Sequence, residues 1–179
     1  LEMTNLNSTI VSNTLAKPQV FNTKGKIGGR VRIAHDNFEL STADIDSADT
    51  IVLCYLPSSC IPVNLFLTND DLDSNGSPTL ATNVGIYDVD PTDGTLGSVA
   101  DVDAFASAIT QLQAAANLTN ILQEAATAAQ KALIGKRLWE WAGKSSDPGG
   151  MLAIVLTIST VAATAVAGTL AFQFGYVLD

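Results

Sequence analysis

The chain has 179 residues, enough for one domain with an arm or an insertion. Hydrophobic residues make up 47% of it and aromatic ones only 6%, so the apolar content rests on Ala, Val, Leu and Ile, which suits a β-sandwich core better than an aromatic binding pocket. A net charge of −9 argues against nucleic acid as a partner, because neutralising phosphates needs a basic face.

The distribution of charge says more than its total. All nine basic residues fall between Lys17 and Arg32 or between Lys131 and Lys144, while thirteen acids lie between Asp36 and Asp103. Such segregation predicts a basic arm and an acidic body that attract each other within or between subunits, with a chance arrangement on a solvated acidic surface as the alternative.

In chain order, residues 1–28 read as an extended N-terminal arm. They are polar, without periodicity, and end in the Gly-rich run Lys24-Gly-Lys26-Ile-Gly-Gly29. From Gly29 to about Asp90 the chain reads as short strands between turns. Val31 and Ile33 alternate with Arg30 and Arg32, a turn is expected at His35-Asp36-Asn37, and Phe38 and Leu40 follow. Ile51, Leu53 and Tyr55 form one face and Val63, Leu65 and Leu67 the next, and a further strand lies around Asn83 to Asp88. Residues 101–116 fit either a short helix or an edge strand.

The period then changes. Leu118, Ile121, Leu122, Ala125, Ala129 and Leu133 recur at three and four, which predicts a helical insertion over about 117–143, with Gly135 ending or kinking it and Gly143 stopping it. Trp139 and Trp141 stand two apart, so one is expected in the core and the other, Trp139, at a contact with the arm or a partner. Met151 to Leu178 carries no charge and is long enough for a membrane helix. Its Leu152, Ile154, Leu156, Ile158 and Leu170, Phe172, Phe174, Tyr176 alternate instead, which predicts two closing strands and no membrane.

The chemical motifs are thin. Asp71, Asp73 and Asn75 open a D-x-D-x-N-G calcium loop, but the twelfth position is Thr82 rather than a bidentate Glu. These three are candidates only by that opening, and no metal or cofactor is expected. His35 has no evident nucleophile beside it, and no G-x-S-x-G pattern occurs. Cys54 and Cys60 flank a Pro-Ser-Ser turn that leaves a disulfide conceivable, with buried free thiols the expected state.

Several segments together carry a resemblance. They are Gly28-Gly-Arg-Val-Arg-Ile33 after a polar arm, Asp49-Thr-Ile-Val-Leu-Cys-Tyr-Leu-Pro57, Asn83-Val-Gly-Ile-Tyr-Asp88, Asp101-Val-Asp-Ala-Phe-Ala-Ser-Ala108, Gly135-Lys-Arg-Leu-Trp-Glu140 with Asp147-Pro148, and a last strand ending in Tyr176. In this order the layout resembles tailed-bacteriophage virion proteins of the head decoration or cement type. Several short strands at this spacing predict a jelly-roll β-sandwich over 29–179 with the helical insertion; the resemblance implies a virion location after assembly in the bacterial host cytoplasm, and a homo-oligomer with a trimer favoured. The implied partners are the major capsid protein or other virion proteins, and no catalysis is implied. Lys17, Lys24, Lys26, Arg30, Arg32 and Trp139 are the candidate partner-binding residues. A neck or tail accessory protein and a jelly-roll carbohydrate or cell-surface module are the alternatives.

Overall fold

The computed structural model describes residues 7–22, 26–125 and 127–178. Eight strands run in the order β1 Val31–Leu40, β2 Thr50–Pro57, β3 Ile61–Asn69, β4 Ala81–Val89, β5 Leu96–Ile109, β6 Ala116–Asn120, β7 Met151–Thr160 and β8 Gly168–Val177. They form two antiparallel sheets, β1-β8-β3-β6 and β2-β7-β4-β5. Across the ladders β1 pairs with β8, β2 with β7, β3 with β6 and β4 with β5. This nesting of first with last, inward to the middle, is a long antiparallel hairpin rolled into a sandwich, the jelly-roll arrangement.

Alternation explains which side chains enter the core. On β7, Leu152, Ile154, Leu156 and Ile158 are buried, and on β8 so are Leu170, Phe172 and Phe174. The uncharged stretch from Met151 onward thus supplies one strand to each sheet. Among the described residues no helix is long and apolar enough to cross a membrane. Phe105 of β5 lies 5.8 Å from Phe174 and 5.4 Å from Trp141, which ties both sheets to the helical segment. Each buried ring of this kind contributes about 2 kcal/mol.

Bulges interrupt the simple alternation. The β2·β7 register shifts between Val52 and Cys54, so Tyr55 turns outward and Leu56 is buried instead. A second shift between Pro62 and Asn64 leaves Val63 exposed. Cys60 is buried and Cys54 half-buried, both free; burial pushes each thiol up to about 12, with neighbouring Cys54 adding to the rise at Cys60.

Three expectations change. The turn at His35-Asp36-Asn37 is absent, because β1 pairs with β8 without interruption over ten residues. The arm's described part includes a helix, α1 Thr9–Leu15, started by Ser8, whose hydroxyl accepts from the Val11 amide. The expected insertion over 117–143 is shorter and divided: it opens as β6 and turns, and only α2 Ala128–Ala132 and α3 Leu138–Trp141 are helical. The reason is tertiary. The Leu118 amide donates to Thr68 Oγ1, the Ile121 amide to the Leu65 carbonyl, and Asn120 Oδ1 accepts from the Leu65 amide, so the edge of β3 captures this segment as a strand. Residues 101–109, left open between helix and strand, belong to β5, an edge strand of 14 residues.

Candidate docking surface

An antiparallel sandwich sends alternate connections to opposite ends. One end carries the β1–β2, β3–β4, β5–β6 and β7–β8 connections, and they bond to one another. The Leu72 amide donates to the Leu112 carbonyl and the Ser74 amide to that of Thr164. Asp73 fastens this end. Its two carboxylate oxygens accept from the backbone amides of Thr79, Leu80, Ala163 and Thr164 at 2.7, 3.0, 3.0 and 2.8 Å. Burial resists ionisation of Asp73, but the four amides outweigh it and hold the carboxyl well below the usual carboxylate range.

That geometry assigns the calcium-like motif a different task. Asp73 serves the fold's own amides, Asp71 Oδ1 accepts from the Asp73 amide, and Asn75 Oδ1 accepts from the Ser77 amide. Among the described residues no group of three or more His, Cys, Asp or Glu side chains stands where it could hold a metal. Millimolar Ca²⁺ is therefore expected to leave the melting temperature almost unchanged. A rise of more than about 10 °C in a thermal scan would require a specific site.

The opposite end gathers what precedes β1, the short β2–β3 turn, the β4–β5 turn and the long β6–β7 connection. Their contacts join them: the Leu138 amide donates to the Cys60 carbonyl, the Trp139 amide to that of Ser58, and Ser58 Oγ to Asp147. Ser8, Thr9 and Ile10 of the arm, Lys26, Ile61, Pro62, Val63, Ile134 and Gly135 line one groove of about 470 Å³ here. The two basic segments, far apart in sequence, thus share one end of the molecule.

Of the candidate partner-binding residues, Lys26, Arg30 and Arg32 are exposed at this end, and Lys17 is exposed on the arm. Arg30 and Arg32 line a smaller hollow with Leu178. Lys24 lies outside the described residues. Trp139 is half-buried against the core, and its indole Nε1 is buried without a hydrogen-bond partner; Trp141 is the core member of the pair, 2% exposed. Sequence reading missed Ile134 and Val63, which stand 67% and 43% exposed. An apolar residue immediately before the helix-ending Gly135 was the available signal for the first.

The charges of the two ends differ sharply. Among the described residues the groove end holds Lys26, Arg30, Arg32, Lys131, Lys136, Arg137 and Lys144 against five acids, Asp88, Asp90, Asp93, Glu140 and Asp147. Two of these pairs neutralise locally, Lys136–Glu140 at 3.0 Å and Lys144–Asp88 at 2.8 Å. The other end holds Glu39, Asp44, Asp46, Asp49, Asp70, Asp71 and Asp73 and, among the described residues, no cation. His35 sits between the ends on β1, beside a shallow pocket of about 140 Å³ with Phe66 and Gln173.

Two solved structures share this fold. The chain superposes on a chain of the cyanophage Pam1 capsid asymmetric unit with a TM-score of 0.59 and 22% identity, covering 99% of this chain and 100% of that one. It superposes on a chain of the capsid of Ralstonia phage GP4 with a TM-score of 0.57 and 22% identity, covering 83% and 85%. At these identities the likeness is one of fold. No family model and no curated protein matches the chain.

Proposed function

We propose that this chain is a non-enzymatic structural protein of a tailed-phage virion, one that binds the capsid shell and stabilises it as a decoration or cement subunit. The observation that carries this reading is the end-to-end match to a chain of a phage capsid asymmetric unit, arm and helical segment included. The surface supports it with an apolar groove flanked by cations at one end, suited to docking on a partner. A subunit of this kind works by linkage. It binds the assembled shell and not the separated parts, so its binding free energy adds to the stability of the assembly. Its partners in this reading are the major capsid protein or other virion proteins, and its place is the particle assembled in the host cytoplasm.

The direct test is to purify particles of the phage that encodes the chain and quantify their proteins by mass spectrometry. The chain should co-purify at many copies per particle, and finding it only in the soluble fraction of infected cells would overturn the reading. A homo-oligomer, with the trimer favoured, belongs to the same proposal; light scattering over micromolar concentrations should show it, and a monomer throughout would remove it.

The arm is the element proposed to bridge neighbours. Fully extended, some 26 residues reach about 80 Å. Helix α1 buries none of its own residues, and Val11, Leu15, Val20 and Phe21 stay exposed, so this segment contributes little to the fold it is attached to. Deleting residues 3–28 is expected to move the melting temperature by no more than about 3 °C. Attachment to particles lacking the native copy should fall about tenfold or more in co-sedimentation, because a tethered second contact is lost. Equal binding by the truncated and full-length chains, in low and high salt alike, would show the arm to be a loose terminus.

A further inference from the structure

Apolar exposure and positive charge coincide on this molecule. Phe21, Ile27, Val31, Ile33, Val63 and Ile134 are all more than 40% exposed, and all belong to the arm or the groove end. The acidic end exposes Val161, and Leu118 of β6 stands exposed beside Thr68 at the same end of β3. An apolar groove flanked by cations favours a partner surface that is acidic and presents apolar side chains, since the burial supplies affinity and the charge supplies steering and selectivity. A second copy's acidic end matches that description poorly: it offers carboxylates but only the two separate side chains Val161 and Leu118 against the six of the arm and groove end, so a head-to-tail chain of subunits is not favoured.

Resting on the virion reading above, we infer that the groove end is the face that docks, onto an acidic, apolar-bearing patch of the shell, and that the seven-carboxylate end points away from the lattice. The polarity has a physical use. A free acidic end held at the same orientation on every subunit repels its like, which keeps decorated particles from associating through their outer faces.

The test compares three full-length variants with the wild type for co-sedimentation with particles of the encoding phage that lack the native copy. Lys26→Glu with Lys131→Glu alters the charge of the docking end. Ile134→Asp alters its groove, and Asp46→Lys with Asp71→Asn alters the far end. All these side chains are exposed, so each variant should melt close to the wild type, and that scan is run alongside. The first two variants should bind about tenfold more weakly or worse, with the wild-type affinity itself falling as salt is raised, and the third should bind like the wild type. Weak binding by the far-end variant with undiminished binding by the other two would overturn the assigned orientation while leaving the virion reading intact. Absence of binding by every form, wild type included, would sink the virion reading itself.

Discussion

Replacing Asp73 by Ala should cost about 3–5 kcal/mol, a fall in melting temperature on the order of 10 °C. The carboxylate is 1% exposed and is the common acceptor for four amides from two connections. Without it those donors lose their partner in a place water does not reach freely, and an unpaired buried donor costs more than a made hydrogen bond contributes. Asp73→Asn tests the charge at nearly constant volume: its amide group must face donors with donors at one of the two oxygen positions. The pH dependence has a definite sign. A folded-state pKa held below the ordinary value means the stabilisation is fully present above the unfolded carboxylate's pKa and is lost as pH falls toward the folded one. The gap in melting temperature between wild type and Asp73→Asn should therefore be widest near neutrality and narrow below about pH 4. Asp101 works in the opposite direction. Burial, with the like charge of Asp103, raises its pKa, so protonating it as pH falls stabilises the fold. Comparing the two proteins at matched pH removes that contribution. If Asp73→Asn melts within about 1 °C of the wild type at neutral pH, the four amides do not depend on the carboxylate's charge.

What the sequence made legible follows from where local pattern and tertiary environment agree. The faces of β7 and β8 could be read directly, because on each strand the large apolar side chains alternate onto the sandwich side, where they are buried. The segment 117–133 could not. Its three-and-four spacing is genuine, yet Leu118 is 58% exposed and Ala125 and Ala129 are exposed, while Ile121 and Leu122 are buried by the turn that follows β6. A five-residue strand on the edge of β3 takes its state from its partner's hydrogen bonds, and a periodicity argument does not see those. At the candidate site the segregation of charge was legible, but its meaning was not. Lys26 and Ile134 share a groove because the nested pairing brings both the chain before β1 and the β6–β7 connection to one end. That is a property of topology and not of either segment. Tyr55 shows the same limit on a smaller scale: one bulge reverses the face that alternation assigns to it.

The β5 strand makes the second large prediction, and its signal was present in the sequence as a lone glycine inside a strand pattern. Val84 and Ile86 of β4 face the core, so Gly85 faces outward, and the register between β4 and β5 jumps from Ala106 to Asp101 across these positions. The displaced stretch of β5 lies directly on Gly85: an ideal Cβ there would overlap the Asp101 carbonyl oxygen and the Val102 carbonyl group. The crossing lets Val102 cover a small apolar cluster of Tyr87, Ala153 and Val155 on the outer face of the β2-β7-β4-β5 sheet. Tyr87 is held there as well by its hydroxyl, 2.9 Å from Thr157 Oγ1. Because the obstruction at Gly85 is backbone, no rotamer change relieves it, and Gly85→Ala must lift β5 away. The expected cost is about 3 kcal/mol or more, at the upper end for overpacking. Gly76→Ala is the control, since a Cβ at that position meets nothing within 4 Å and the backbone is not in the left-handed region; it should stay within about 0.5 kcal/mol of the wild type. Chemical denaturation of the three proteins measures both differences, and hydrogen exchange across residues 99–103 reports whether the strand has lifted. A Gly85→Ala protein as stable as Gly76→Ala, with protection of those amides unchanged, would mean that β5 does not cross β4 at this point.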